Sequence, residues 1–518
     1  MPAESPGRQR LMDAVVAAAS VIVLIAGCSH PPPPKPPEFQ PPIPEVPNPS
    51  QVAGAPVANG TSGLRPGAPG PTRPIQDGDG GEIDNLAAMA VSDIEQFWAG
   101  AYGSPLKGKF VPVNAVFSWD SRYKNGSFCG GPTNGTVNAM WCGDSEGRDQ
   151  NCPDDRPSPP AVCTPSDNTI GWDRGVLMPQ ERDTGGDMGP VVVLAHEYGH
   201  AIQHMAALVD VKNAATATVA EQQADCFAGV YMRWVADGKS PRFTLSTGDG
   251  LAKLLMVMIG IRDPLLTAGD PHEQKLVHGS AFERVTAFQF GFDGGVSTCA
   301  GIDETEITQR RSNLPKELLE HGNTGETPIT NELATAVIEA MNKTFALATP
   351  PRLAFDQQPC PDARPSPPAW YCPSSNTISV DMPRLVLMGT SLARGSPLDM
   401  MGPLFGDYTA FSVLVSRFML AVEKQHGGLA LDNINAGLRT ACLTGVATAK
   451  LSKPVTVSNG ATIALSGGDV DEAVSGLLTN GRVAGNVNGE SAPSVFARVA
   501  AFRVGVLGDE NGCLKRWP

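Results

Sequence analysis

The segment Cys152-Pro-Asp-Asp-Arg-Pro-Ser-Pro-Pro-Ala-Val-Cys163 returns as Cys360-Pro-Asp-Ala-Arg-Pro-Ser-Pro-Pro-Ala-Trp-Tyr-Cys372, and this repetition constrains the fold more than any other feature of the sequence. The register continues through Ser166-Asp-Asn-Thr-Ile170 against Ser374-Ser-Asn-Thr-Ile378 and Asp187-Met-Gly-Pro190 against Met400-Met-Gly-Pro403. Further along, Leu245-Ser-Thr-Gly-Asp249 faces Leu465-Ser-Gly-Gly-Asp469, and Phe282-Glu-Arg-Val-Thr-Ala-Phe288 faces Phe496-Ala-Arg-Val-Ala-Ala-Phe502. The chain reads as two homologous domains, and whatever fold it takes must be built twice. Its 518 residues, 41% of them hydrophobic, suffice for two to four domain cores.

An internal copy separates residues the fold needs from residues that chemistry needs. In a direct alignment Gly406-Asp407-Tyr408-Thr409-Ala410, after a three-residue deletion, occupies the place of His196-Glu197-Tyr198-Gly199-His200. Glu221 faces Gly437, Asp225 faces Ala441 and His278 faces Ala492, so the polar residues vanish as a set. Cys226, Gly229, Asp249, Arg284 and Cys299 keep counterparts at Cys442, Gly445, Asp469, Arg498 and Cys513. Tyr198, matched by Tyr408, reads as a packing residue.

The N-terminus points to export. Arg8 and Arg10 precede an apolar run from Ala14 to Ala26 that is short for a membrane span. It ends Leu24-Ile25-Ala26-Gly27-Cys28, which resembles the lipobox of bacterial lipoproteins and implies a signal peptide over 1–27 and lipidation of Cys28. The alternative is an uncleaved anchor with an incidental cysteine. Residues 28–82, rich in Pro and Gly, hold few large apolar side chains and read as a tether that keeps the body clear of the membrane. The catalytic body is expected over 83–305 and its degenerate, metal-less copy over 330–518.

Setting Cys28 aside leaves ten of the eleven cysteines, an even number in an oxidising compartment. A pairing must make sense in both copies. That selects Cys152–Cys163 with Cys360–Cys372, and Cys226–Cys299 with Cys442–Cys513, with Cys129–Cys142 as the remainder. Cys226 could instead be a buried thiol or a soft metal ligand. With 39 basic against 53 acidic residues, a net charge of -14 excludes the basic surface that nucleic-acid binding needs.

Val191-Val-Val-Leu-Ala-His196-Glu197-Tyr198-Gly199-His200-Ala-Ile predicts a helix entered through Pro190. Positions i and i+4 share a helix face, so His196 and His200 can offer imidazole nitrogens to one Zn²⁺, with Glu197 placed to deprotonate water. A catalytic zinc takes a third protein ligand and keeps one position open. Glu221, opening Glu221-Gln-Gln-Ala-Asp225 on a second helix that runs to about Ala236, is the candidate; its alternative is a capping box in Thr218-Val-Ala-Glu221. Asp225 suits the fixing of a ligand histidine's tautomer, or is an ordinary solvated carboxylate. His204 continues the ladder one turn too far and reads as a rim residue. His278, in His278-Gly-Ser, either stabilises the oxyanion or binds substrate, or is structural.

His196-Glu-Tyr-Gly-His, Glu221-Gln-Gln-Ala-Asp-Cys-Phe-Ala-Gly, His278-Gly-Ser and the closing Cys299 together resemble the bacterial neutral zinc metallopeptidase family, over about residues 85 to 300. With the lipobox, the likeness is to mycobacterial lipoprotein peptidases. The resemblance implies an α+β, zincin-like fold of the glutamate-ligand type, with one zinc in the first repeat held by His196, His200 and Glu221 and with Glu197 as base. The Pro-rich segment and the second copy depart from the family.

These readings predict a lipid-anchored endopeptidase on the extracytoplasmic face of the cell membrane, acting on peptide or protein substrates of the envelope. A strand around Ser166 to Met178 would pair, as a sheet edge, with extended substrate. The rival functions are a non-catalytic envelope scaffold and a zinc amidase acting on cell-wall crosslinks. The second copy could present substrate or cover the cleft.

Overall fold

A computed structural model describes residues 48–123, 126–143, 168–209, 216–262, 278–311, 314–315, 326–390 and 405–518. The expected signal peptide, Cys28 and the Cys152–Cys163 pair lie outside the described residues. About half of the described residues are helical and the strands are short, a mixed α+β architecture.

The chain enters through a hairpin of β1 (Gln51–Val52) and β2 (Ala55–Pro56) and a short β3 (Gly63–Leu64), followed by helix α1 (Glu82–Ala101). Strand β4 (Ala115–Trp119) leads through a small hairpin, β5 (Ser127–Phe128) with β6 (Gly131–Pro132), to β7 (Ala139–Cys142) and β8 (Thr169–Asp173). Then come α2 (Leu177–Gly185), α3 (Met188–Ala206), α4 (Ala217–Ala236), β9 (Phe243–Thr244), α5 (Asp249–Gly260), α6 (Ala281–Ala300) and α7 (Glu304–Arg311).

The second half follows the same order. Helix α8 (Asn331–Phe345) precedes β10 (Arg352–Ala354), β11 (Ala369–Cys372) and β12 (Thr377–Val380). After α9 (Met382–Gly389), α10 (Asp407–His426) and α11 (Ile434–Leu451) comes a hairpin of β13 (Val455–Thr456) and β14 (Thr462–Ile463). Helix α12 (Gly467–Thr479), a 3-10 turn at Arg482–Ala484, α13 (Val495–Leu507) and α14 (Glu510–Arg516) complete it.

Both halves build their main sheet alike. In the order β4-β8-β7, β4 runs parallel and β7 antiparallel to the central β8; in β10-β12-β11, β10 is parallel and β11 antiparallel to β12. The central place of β8 corrects the expectation for Ser166 to Met178: hydrogen bonds on both sides leave no free edge there, and the outer strand next to α3 is β7. Disulfides close Cys226 to Cys299 and Cys442 to Cys513, and also join Cys129 to Cys142 and Cys360 to Cys372.

Helices α4 and α6 approach so closely that a Cβ on Gly229 would lie 2.1 Å from the Phe288 carbonyl oxygen, and one on Gly291 1.8 Å from that of Cys226. The pair α11 and α13 repeats this, with Gly445 at 2.1 Å from Phe502 O and Gly505 at 1.7 Å from Cys442 O. Only glycine permits such backbone contact, which explains why these positions carry it in both halves.

The two halves share one hydrophobic core. Phe288 and Phe292 of α6 pack on Phe496 of α13, with ring centroids 6.4 and 5.3 Å apart, and α12 packs against α5 and α6. The described part of the expected tether also joins the body. Gly63–Leu64 adds to β9, the Arg65 guanidinium bonds the Ser240 and Phe243 carbonyls, and Arg73 pairs with Glu95 at 2.9 Å. Low apolar content misled the expectation here, because polar and main-chain hydrogen bonds, together with the buried Val52, do the anchoring.

Candidate metal centre

Helix α3 is buried along nearly its whole length because Val191 to Ile202 carries apolar residues on every face except the one bearing the histidines. Gly189 lets its first turn cross α2, where a Cβ would stand 1.9 Å from Glu181 O. Gly199 brings α3 onto α4, since a Cβ there would be 2.8 Å from Ala224 Cα. That close crossing is what aims Glu221, in the second turn of α4, at the two histidines.

Glu221 Oε2 lies 3.0 Å from His196 Nε2 and 3.5 Å from His200 Nε2, and the two imidazole rings meet edge to face with centroids 4.9 Å apart. Tetrahedral zinc with bonds of about 2.0–2.1 Å holds neighbouring donor atoms about 3.3 Å apart. The observed separations bracket that value, and two imidazoles with one carboxylate form a donor set suited to zinc. Helix α4 begins at Ala217 with no side-chain cap, so the capping-box alternative for Glu221 does not occur.

His196 Nδ1 and Asp225 Oδ1 are 2.7 Å apart, and Arg284 from α6 forks onto both oxygens of Asp225 at 2.6 and 2.9 Å. All three groups are buried, so Asp225 is no solvated carboxylate. This contact fixes which nitrogen of His196 faces Glu221. His200 Nδ1 is likewise held, 3.0 Å from Gln203 Oε1, and the amide of Gln203 is itself bound to Ala220 O and Gln223.

Glu197 accepts the Trp141 N–H at 2.9 Å. Trp141 lies in β7, on its side away from β8, so the base candidate is tied to the outer strand of the sheet. Trp141 also packs its ring on exposed His204, with centroids 5.2 Å apart, at the rim as expected. The His278 side chain is 41% exposed with Nε2 3.6 Å from Glu221 Oε2, and its carbonyl accepts from Gln222. Spacing alone could not find Trp141 or Gln203. Arg284 carried a signal, its retention in both halves, but its partner did not.

The charges are mutually adjusted. Burial alone would raise the Glu221 carboxyl, but the surrounding imidazoles of His200, His278 and His196 hold it well below its usual range. Burial works against the charged form of His196, yet Asp225 and Glu221 push its pKa up to about 10. Asp225, despite its burial, is held low by Arg284 and His196. Glu197 is raised by burial, which outweighs the pull of His196 and His200.

Among the described residues the second half holds no group of two imidazoles and a carboxylate, for reasons that revise the direct alignment. Glu423 of α10 faces Arg439 of α11 at 2.8 Å as Gln203 of α3 faces Gln223 of α4. By that contact Ser416-Arg417-Phe418-Met419-Leu420, rather than Gly406–Ala410, stands where His196–His200 stands. Tyr408 sits at the start of α10, its hydroxyl 2.9 Å from Thr448 Oγ1, so it is not the counterpart of Tyr198, whose hydroxyl bonds Glu95 and the Val113 N–H. A side chain at Gly437 is barred, because a Cβ would lie 2.4 Å from Ala484 O. Among the described residues two other groups gather ligating atoms: Cys360, Asp362 and Cys372, whose cysteines are joined as a disulfide, and the carboxylates of Glu326, Asp407 and Glu472.

Comparison with known proteins places a match on this centre. Residues 158–302 match the family described as "Putative neutral zinc metallopeptidase". Among curated proteins, the "Uncharacterized protein Rv2575" of Mycobacterium tuberculosis and the "Uncharacterized protein Mb2605" of Mycobacterium bovis are each 29% identical over 153 residues, which is 26% of this chain and 52% of theirs. The chain thus spans about half the length of the curated relatives it matches. No solved structure matches. The stretch that holds His196, Glu197, His200, Glu221, Asp225 and His278 is therefore similar in sequence to a zinc metallopeptidase family.

Proposed function

We propose that this chain is a zinc-dependent endopeptidase, with one zinc held by His196, His200 and Glu221 of the first half. The observation that carries the reading is Glu221 Oε2 at 3.0 and 3.5 Å from the two Nε2 atoms. When bound there, zinc supplies Lewis acidity, polarising a scissile carbonyl and bringing the pKa of water down to about 7.

The chain's own groups do the rest. Glu197, its carboxyl raised by burial, takes a proton from the attacking water at its free oxygen and returns it to the leaving amine. Trp141 N–H steadies its other oxygen. Asp225 and Gln203 fix the ligand rings, and half-buried His278 stands where it can meet the oxyanion or a substrate carbonyl. Extended substrate pairs along the outer side of β7 rather than β8.

The second half is a degenerate copy of the first, a reading supported by the shared element order, sheet topology and glycine contacts. It lacks a metal. Arg417, in the position of Glu197, donates to the carbonyls of Ala369, Gly485 and Arg482 at 3.0–3.1 Å, a buried cation that repels another. Cys28 carries a lipid, the body works on the extracytoplasmic face, and the chain is of the same kind as mycobacterial lipoprotein peptidases. The lipobox supports this, as do the disulfides, which need an oxidising compartment.

The test is zinc content and cleavage of a peptide library by the purified chain and by Glu197→Gln. Expected are zinc in both proteins and a fall in kcat of about 10²–10⁴-fold in the variant. A wild-type chain without zinc, or a variant of unchanged activity, overturns the reading.

A further inference from the structure

Helix α12 of the second half reaches into the supporting layer of the metal centre. Asp471 is fully buried; its Oδ2 accepts from Arg262 Nε at 2.5 Å and its Oδ1 from the Ala281 N–H at 2.9 Å. Ala281 is the first residue of α6, the helix that carries Arg284 and begins just after His278. Arg262 follows Ile261, whose carbonyl accepts from Arg284 Nη1 at 2.5 Å. Arg284 grips Asp225, and Asp225 holds His196. A path of contacts therefore runs from α12 through Arg262, the neighbouring Ile261 carbonyl, Arg284 and Asp225 to the His196 imidazole.

The internal copy gives this contact its meaning. The Ser-x-Gly-Asp matches at Ser246 to Asp249 and Ser466 to Asp469 set Leu251 of α5 in the place of Asp471. A buried leucine satisfies the fold in the first half. An ion pair at the same place costs desolvation that an apolar residue does not, so packing alone gives no reason for it. Its two oxygens instead fix the end of α5 and the first amide of α6, where the positive end of the helix dipole favours a carboxylate.

We infer that Asp471 is a positioning residue for the metal centre, so that the metal-less half is a working part of the site rather than an appendage. The inference rests on the zinc reading proposed above. Asp471 acts by holding α6 in register, which sets the direction of Arg284 and through it Asp225 and the His196 ring.

The experiment uses the full chain, with zinc affinity measured by competition with a chelating dye and with kcat and KM at saturating zinc. Asp471→Asn is expected to weaken zinc binding about tenfold, as loss of outer support around a ligand histidine does, and to lower kcat with little change in KM. Glu472→Gln is the control, since this adjacent buried carboxylate bonds Tyr408 N and Thr409 N within the second half; its zinc affinity should match wild type. Arg262→Lys, which keeps the buried charge, carries the same expectation if Asp471→Asn does not fold. Wild-type affinity in a folded Asp471→Asn or Arg262→Lys chain, or an equal loss in Glu472→Gln, overturns the inference and leaves the zinc reading standing. A wild-type chain that binds no zinc overturns both.

Discussion

Asp225 joins the two charges that matter most to the centre. Its oxygens meet His196 Nδ1 at 2.7 Å and the Nε and Nη2 of Arg284, so it aligns a candidate ligand and neutralises a buried guanidinium at once. Its counterpart, Ala441, leaves Arg498 of the second half to bond the carbonyls of Ala492 and Leu478 at 3.2 Å. Asp225→Asn should therefore lose zinc affinity about 10–100-fold, measured by chelator competition, and should melt at a lower temperature. His196, His200 and Asp225 were legible because helical spacing puts them on shared faces. Glu221 became legible through its loss in the second copy together with the histidines. Trp141 was not legible, since it acts through a main-chain N–H and no residue type records which way a strand turns its amides.

The N-termini of α10 and α12 meet in a group of carboxylates. Asp469 is raised to about 7 by burial, with Asp407 and Glu326 adding repulsion; Asp407 is raised to about 6 and Glu472 goes well above its usual range. A folded-state pKa above the unfolded value of 3.8 means that stabilisation is full below about pH 4 and is lost as pH rises through about 7. Asp469→Asn keeps an acceptor for the Ser466 N–H and removes this loss. Thermal melts should show the variant close to wild type below about pH 4 and more stable at pH 8, by an amount on the order of 2–4 kcal/mol. Equal pH dependence in the two proteins would count against a protonated cluster. At this scale the sequence gives the helices well but not their pairing. The Asp-Tyr of α10 looked like the Glu-Tyr of α3, yet α10 simply starts there, and only the contact of Glu423 with Arg439 sets the register.

Two homologous domains in sequence suggested bodies that could be parted, with 330–518 removable. The shared core argues otherwise. Cutting there strips Phe496 from Phe288 and Phe292, exposes the α5–α6 face and takes Asp471 from Arg262 and Ala281. Residues 48–315 expressed alone should be insoluble or should lose the sharp thermal transition of the full chain, as read by calorimetry. The interface escaped the sequence because Phe288, Phe292 and Phe496 sit in periodic apolar patterns that occur in both halves, and a pattern that recurs does not say which face meets the other half. The N-terminal segment escaped for a different reason: residues 48–81 are held by hydrogen bonds such as those of Arg65 to Ser240 and Phe243, which composition does not report.

Zinc-edge X-ray absorption on the purified full-length chain bears most directly on the centre. One zinc per chain, bound by nitrogen and oxygen at about 2.0–2.1 Å with two imidazole scattering shells and no sulfur, is the predicted result. An all-oxygen shell, a sulfur shell at about 2.3 Å, or an unchanged spectrum in Glu221→Ala would contradict it.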